Sequence, residues 1–326
     1  MEKRLYLIAL AVTVSWALAS SSRATDLVND TWLDGTRTDP TSAGTPAYAE
    51  NNGVTAVDSD ADGNLESAWF KGGGGTLSVT NPGTGNVLEG VTSASSQHWY
   101  TYLTQPSTKV TLANPGDELK LTWVFTPTTI GNNVSQALPL ALALNPSARV
   151  AGDGTLPAGV FSGYSMFLNF STTLSGSAFA LKEWATTTSS SLLGAAAAWG
   201  ANGVSAGTLA NAGAAGNTGY ASGTQYTFVF DLKLDPANTG SLIINASMTG
   251  GSLNNGGVLS VTYTDASPNS LSYDIFAVRP ANGASTAATF DTSLFKIEVI
   301  PEPSTFALAG AGLALMIGLI SRRRRS

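Results

Sequence analysis

Apolar and polar side chains alternate along the middle of the chain with a period of two, which predicts β-strands. Between residues 119 and 125 the odd-numbered positions are apolar, and between residues 226 and 234 the even-numbered positions are apolar. Each run places one face in a core and the other toward solvent. Further strands are predicted over residues 76–80, 99–104, 138–144, 164–170, 179–184, 242–248, 258–263, 271–278 and 294–300.

Turn-forming residues separate these runs, at residues 81–83, 114–117, 153–154 and 254–257. No strongly amphipathic helix is evident. The many strands between residues 25 and 300 predict an all-β fold, a single domain with two packed antiparallel sheets in a jelly-roll sandwich. The glycine run at residues 72–75 is predicted to be a hairpin connection, since no Lys-Ser/Thr pair follows it to make a phosphate loop.

The N-terminus has the three parts of a secretory signal peptide. Lys3 and Arg4 supply positive charge, residues 5–18 are apolar, and small residues precede Ala19 and Ala24. We therefore predict a signal peptide over residues 1–24 that is cleaved after Ala24, with Ala19 as the alternative.

The C-terminus combines a short motif, an apolar run and a basic cluster. Pro301, Glu302 and Pro303 form the motif, and residues 304–320 carry no charge. This run is at the short end of what crosses a bilayer as a single helix. Basic residues beyond it hold that end on the cytoplasmic side. The cluster consists of Arg322, Arg323, Arg324 and Arg325.

These three features together resemble the PEP-CTERM sorting signal of Gram-negative bacteria, which spans residues 301–326 here. The resemblance implies two processing partners, a signal peptidase and an exosortase. It also implies transient membrane insertion through the C-terminal helix, cleavage near the motif, and release or transfer to the cell surface or exopolysaccharide. A plain C-terminal membrane anchor is the alternative that the apolar run and the arginines alone leave open.

The charge of the body between the two end segments narrows the choice of partners. Residues 25–300 contain nine basic and 20 acidic residues, a net charge of −11, against −6 for the whole chain. An acidic domain repels phosphate backbones, so nucleic acid is excluded as a partner. The composition suits solubility outside the cell and divalent cations. The chain has no cysteine, which excludes disulfides and thiol chemistry.

The strongest motif for metal binding is an acidic run that ends in glycine. Alternating oxygen side chains before Gly63 match the first half of a calcium loop. The twelfth position is Trp69 rather than a glutamate, so the loop is not an EF-hand. A solvated acidic turn is the alternative. The predicted Ca²⁺ ligands are Asp58, Asp60, Asp62 and Asn64.

Residues 186–219 are rich in Ala, Gly, Ser, Thr and Asn. Such a composition predicts a long surface loop. The alternative is a loop over a binding face, with Trp184 and Trp199 as surfaces on which sugars stack. The alanine run at residues 195–198 is also compatible with one short helical turn.

Three short stretches of the body resemble the concanavalin A-like lectin and glucanase sandwiches: residues 32–37, residues 66–70 and the closing strand at residues 295–299. The resemblance implies that fold and, by analogy, contact with carbohydrate.

The residues that could catalyse a reaction are few. His98 is the only histidine, and in a strand it shares a face with Tyr100 and Tyr102 while Trp99 points the other way. We predict a packed strand-edge histidine, since no Gly-x-Ser-x-Gly elbow accompanies it. Glu183 beside Trp184 is the one acid adjoining a stacking aromatic in a predicted strand. Neither an acid pair of glucanase spacing nor basic residues clustered with His and Tyr are evident in the sequence.

The sequence thus predicts a non-catalytic protein that is secreted across the inner membrane and associated with the cell surface or exopolysaccharide. Contact with polysaccharide is a further expectation. The alternative is a secreted hydrolase or lyase of the same fold class acting on polysaccharide.

Overall fold

The structure, a computed structural model, describes residues 24–38, 50, 58, 61–106, 108–133, 136–150, 152–194, 196–201, 204–205 and 207–302. Short 3-10 helices occur at Ala196–Ala198 and Leu253–Asn255. The strands are β1 (Thr25–Asp30), β2 (Trp69–Gly73), β3 (Thr76–Thr80), β4 (Val87–Val91), β5 (Gln97–Tyr102), β6 (Val110–Thr111), β7 (Glu118–Ile130), β8 (Leu138–Leu144), β9 (Ala158–Gly159), β10 (Ser162–Leu168), β11 (Phe179–Trp184), β12 (Ser190–Ser191), β13 (Trp199–Ala201), β14 (Val204–Ser205), β15 (Ala210–Ala212), β16 (Tyr226–Leu234), β17 (Leu242–Thr249), β18 (Val258–Asp265), β19 (Ser272–Tyr273), β20 (Ile275–Val278) and β21 (Ala287–Ile300).

Two large antiparallel sheets contain most of these strands. The eight-stranded sheet has the order β18-β17-β16-β7-β21-β4-β3, with β1 paired to β21. The nine-stranded sheet has the order β14-β13-β11-β10-β8-β20-β5-β2, with β15 paired to β11. Two small ribbons pair β12 with β9 and β19 with β6. The predicted all-β fold with two antiparallel sheets is therefore confirmed.

Alternation along the strands makes the main core between the two sheets. On β7 and β16 every second residue is buried, as the sequence pattern predicts. Aromatic rings from both sheets meet there. Trp99 lies edge-on to Phe290 with ring centroids 5.7 Å apart, and Trp69 lies edge-on to Phe295 at 5.0 Å. This apolar burial is the main source of stability in a chain without disulfides.

The nine-stranded sheet is buried on its outer face as well. A second apolar cluster there joins small strand residues such as Ala141 and Ala277 to Leu192, Leu193 and Trp199. The last three belong to the low-complexity segment, which therefore packs on the sheet and is not the predicted plain surface loop. The predicted helical turn is present as the 3-10 helix Ala196–Ala198.

The glycine run at residues 72–75 connects the two sheets. Gly72 and Gly73 end β2, which pairs with β5 in the nine-stranded sheet. After Gly75 the chain enters β3, which pairs with β4 in the eight-stranded sheet. The predicted hairpin is therefore wrong: β2 and β3 belong to different sheets, and the glycines form the corner between them.

Candidate functional site

The sorting motif begins where the last strand ends. Pro301 and Glu302 directly follow β21. Pro303, the predicted transmembrane helix and the arginines at residues 322–325 lie outside the described residues, as do residues 1–23 of the predicted signal peptide. Among the described residues, no helix is both long and apolar enough to cross a membrane.

The predicted calcium loop is folded around the carboxylate of Asp58. The two oxygens of Asp58 accept hydrogen bonds from the backbone N–H groups of Ala61, at 2.6 Å, and Gly63, at 2.9 Å. Asp62 Oδ1 accepts one from the Asn64 N–H at 2.7 Å. Asp60 lies outside the described residues. Within the described part of the chain, no group of three or more acidic or histidine side chains is placed to hold a metal. The calcium site stays a prediction.

A buried carboxylate that sequence reasoning missed lies beside this loop. Asp30, at the end of β1, is 2% exposed, and its Oδ1 accepts a hydrogen bond from the Trp32 N–H at 2.8 Å. Burial, together with the negative charges of Asp34 and Asp62, raises the pKa of Asp30 to about 8. The sequence did not indicate that Asp30 is buried, because the loop that lies beside it comes from residues far along the chain.

A groove of about 640 Å³ opens at the end of β11, where Glu183 adjoins Trp184. Its lining includes the apolar side chains of Val160 and Phe161 and the polar side chain of Asn269. Val160 is one of the few large apolar side chains exposed in the described residues, at 42%. The groove thus combines apolar surface with a carboxylate and polar groups, the mixture typical of small-molecule sites.

Hydrogen bonds and ring packing fix the shape of this groove. Asn269 accepts a bond from the Gly163 N–H and donates one to the Trp184 carbonyl, both at 2.9 Å. Trp184 Nε1 donates to the Thr186 carbonyl at 2.7 Å. The Trp184 ring lies edge-on to Phe161 at 5.2 Å. Two sequence-distant segments therefore hold the indole in place.

The predicted stacking tryptophans are both buried. Trp199 has no exposed surface and lies edge-on to Trp184 with centroids 5.1 Å apart. A sugar stacks only on an accessible ring, so Trp199 as described is not a stacking surface. The reason is that Trp199 anchors the low-complexity segment to the outer face. Trp184 is 5% exposed and lines the groove, and a stacking role for it stays a prediction.

Buried polar groups lie behind the groove. Tyr164 is the partner of Glu183 in the register of β10 and β11. Its hydroxyl donates to Asp265 Oδ2 at 2.6 Å. Burial raises the pKa of Tyr164 far above its usual range, and the charges of Asp265 and Glu183 add to the effect. The tyrosine therefore stays protonated and acts as a hydrogen-bond donor between two acids.

His98 is packed on the outer face of the nine-stranded sheet, as predicted, and is 7% exposed. Its neighbours Tyr100 and Tyr102 share that face, whereas Trp99 points into the main core. Because Trp99 pairs with Val278, the next pair places Arg279 opposite His98. Burial and, to a smaller extent, the Arg279 charge lower the pKa of His98 to about 4. One basic residue, Arg279, therefore lies beside His98, a neighbour that the spacing of the sequence does not show.

A second groove, of about 630 Å³, surrounds Arg149. The Arg149 guanidinium donates to the Thr108 carbonyl at 2.8 Å and to Asp274 Oδ2 at 3.3 Å. It also lies over the Tyr102 ring, 4.8 Å from the centroid. Both members of the Arg149–Asp274 ion pair are about 7% exposed, so this cluster fixes the loops at this end of the sheet.

Comparisons with known proteins agree with the sequence at the C-terminus. Residues 299–325 match the PEP-CTERM protein-sorting motif, so the chain carries the sorting signal that marks exported bacterial proteins. No curated protein matches the chain.

Among solved structures, the chain is similar to the metal-free carbohydrate recognition domain of Emp46p, with 13% identity over 77% of this chain and 95% of that one, at a TM-score of 0.42. It is similar to peanut lectin, with 12% identity over 75% and 95% of the two chains, at a TM-score of 0.40. A carbohydrate esterase from the Shiga toxin-encoding bacteriophage phi24B shows 12% identity over 72% and 91%, at a TM-score of 0.36.

Proposed function

We propose that the protein is secreted across the inner membrane of a Gram-negative bacterium and sorted to the cell surface or exopolysaccharide matrix. The match of residues 299–325 to the sorting motif supports this. The signal peptide over residues 1–24 is removed by signal peptidase. The tail over residues 301–326 inserts transiently and is processed by an exosortase near Pro301 and Glu302. Residues 25–300 remain as the mature body.

The mature body contacts carbohydrate without catalysing a reaction. The observation that supports this is the groove at the end of β11, whose lining combines the apolar Val160 and Phe161 with Glu183 and Asn269. Sugar rings present apolar C–H faces together with hydroxyls that donate and accept hydrogen bonds. A groove lined by apolar side chains and a few fixed polar groups suits both features.

The second candidate is an enzyme that acts on polysaccharide. The juxtaposition of Glu183, Tyr164 and Asp265 favours it, because a protonated tyrosine beside carboxylates is a possible acid–base arrangement. All three groups are buried, and the Tyr164 hydroxyl is already bonded to Asp265. A hydrogen bond that only stabilises the fold would have the same geometry. We therefore rank the non-catalytic proposal above the enzymatic one.

Two assays on the full-length chain in mild detergent separate the candidates. A glycan array reports binding, and a reducing-sugar assay on the same polysaccharides reports turnover. We expect binding without release of reducing ends. Turnover of any polysaccharide overturns the non-catalytic proposal, and silence in both assays overturns carbohydrate contact altogether.

Processing is tested separately in the host cell. Mass spectrometry of the mature protein should find a C-terminus near residues 301–303. Persistence of the arginines at residues 322–325 in the mature protein indicates a plain membrane anchor instead.

A further inference from the structure

The groove around Arg149 is open to solvent and concentrates positive charge in an acidic body. Its exposed lining residues are Pro106, Lys109, Ser147 and Ala148. Two of the nine basic residues between residues 25 and 300, Lys109 and Arg149, line it, whereas the net charge of that body is −11. A local positive charge on an acidic protein favours an anionic ligand at that place.

Lys109 supplies the net charge of this Arg149 groove. Within the described part of the chain, Asp274 is the one acid in the lining, and it is ion-paired with Arg149 at 3.3 Å. Burial raises the pKa of Asp274, and the charges of Arg149 and Lys109 oppose that rise, so the lysine charge reaches the pair. Lys109 forms no ion pair of its own among the described residues. The groove therefore carries one unpaired positive charge, which suits a singly charged anion such as a sugar carboxylate.

Hydrogen bonds within the protein already engage other polar groups of this groove. Ser147 Oγ donates to the Ala158 carbonyl at 3.1 Å, and Thr108 Oγ1 donates to the Gln105 carbonyl at 2.6 Å. A groove whose shape is fixed in advance loses little conformational entropy when a ligand binds. Lys109 is thus the charged group that is left to contact a ligand.

The Arg149 groove adjoins the proposed carbohydrate groove at the end of β11, which we call the β11 groove. Leu144 lines the first and Ser162 lines the second, and these two residues are direct partners in the register of β8 and β10. The lining of the two grooves follows the strand order β11, β10, β8, β20 and β5 along one end of the nine-stranded sheet. Four strand spacings amount to about 19 Å, so the grooves together offer a long trough.

We propose that the two grooves bind one extended acidic polysaccharide, with a sugar carboxylate at Lys109 and the apolar face of another sugar at Val160 in the β11 groove. A carboxylate at the lysine gains a charge-assisted hydrogen bond. Elsewhere the negative charge of the body repels such a polymer, so the Arg149 groove fixes its position along the end of the sheet. The inference rests on the proposed carbohydrate contact and adds the length of chain bound and a requirement for negative charge.

The test measures binding of the full-length chain in mild detergent to polygalacturonate and to the same polymer with its carboxylates methyl-esterified. The two ligands share a backbone and differ in charge. Lys109→Gln removes the positive charge from the groove, and Lys109→Arg keeps it. Lys120→Gln is the matched control, because it removes the same charge from β7 in the other sheet. Melting temperatures show which variants fold.

We expect polygalacturonate to bind more tightly than its ester, and Lys109→Gln to weaken that binding about tenfold, since a hydrogen bond to a charged group is lost. Added salt should reduce the preference for the acidic polymer, because it screens exposed charges. Lys109→Arg and Lys120→Gln should bind like the wild type. Equal weakening by Lys109→Gln and Lys120→Gln, or equal binding of the polymer and its ester, overturns the inference.

A variant of the β11 groove separates this inference from the proposed function. Val160→Trp should weaken binding of polygalacturonate, because the polymer occupies both grooves. If Lys109→Gln weakens it and Val160→Trp does not, the extended binding mode is overturned. Equal binding of polymer and ester that Val160→Trp abolishes overturns the inference and leaves the proposed function standing. Failure of every glycan to bind overturns both.

Discussion

Replacing His98 with phenylalanine should remove a loss of stability that the protein suffers as the pH falls. In the folded protein, burial and then the Arg279 charge lower the pKa of His98 from 6.5 to about 4. The unfolded chain takes up the proton near pH 6.5, whereas the folded chain resists it until about pH 4. Acidification between these values therefore favours the unfolded state. Below about pH 4 both states hold the proton, and the difference stays constant.

The size of the effect follows from the two pKa values. Each unit of separation is worth about 1.4 kcal/mol of unfolding free energy. Lowering the pH from 6.5 to about 4 therefore reduces the free energy of unfolding by about 3 kcal/mol. His98 is only 7% exposed, so solvent screens little of the interaction that lowers its pKa. Phenylalanine keeps the packing of the ring and does not titrate.

Urea unfolding, followed by tryptophan fluorescence across this pH window, measures the difference between the two proteins. Other titrating groups contribute equally to both and cancel. Arg279→Met serves as an intermediate variant, because removal of its charge raises the His98 pKa part of the way back. Parallel stability curves for the wild type and His98→Phe would refute the reasoning.

Three further predictions concern the loop, the covered face and the buried ion pair. Calcium should raise the melting temperature of the wild type and leave that of Asp62→Asn unchanged; equal shifts would contradict the predicted site. Trp199→Ala should lower the free energy of unfolding by about 3–5 kcal/mol, because the ring is fully buried; a loss comparable to that of an exposed substitution in denaturant titration would contradict its anchoring role. Asp274→Ala should cost about 3–5 kcal/mol, since it leaves the Arg149 charge buried and unpaired; calorimetric unfolding of the variant checks this, and an unchanged melting temperature would count against it.

The strands with clear alternation were predictable from the sequence. The run at residues 226–234 coincides with β16, and the run at residues 119–125 lies within β7. The predicted strand at residues 271–278 is instead broken into β19 and β20. The break is at Asp274, whose carboxylate accepts a bond from the Asn145 N–H at 2.7 Å and pairs with Arg149. A long-range polar contact therefore overrides a local pattern.

The candidate sites depended on contacts that sequence spacing does not show. The adjacency of Glu183 and Trp184 was visible, but the groove also needs Val160 and Asn269 from distant loops. Arg279 comes next to His98 only through the pairing of β20 with β5. Strands β12, β13 and β15 lie in the low-complexity segment, whose small side chains carry no periodic signal. The composition predicted a surface loop there, but a few apolar residues of the segment are buried against the sheet.

Carbohydrate contact at the groove is tested most directly by blocking it. Val160 lines the groove at 42% exposure, and Val258 on β18 is exposed to a similar degree, 41%, away from it. Both positions accept a large side chain without disturbing the core. Titration calorimetry with a glycan identified on the array should show that Val160→Trp loses binding while Val258→Trp retains it. Equal affinity of the two variants would contradict the proposed site.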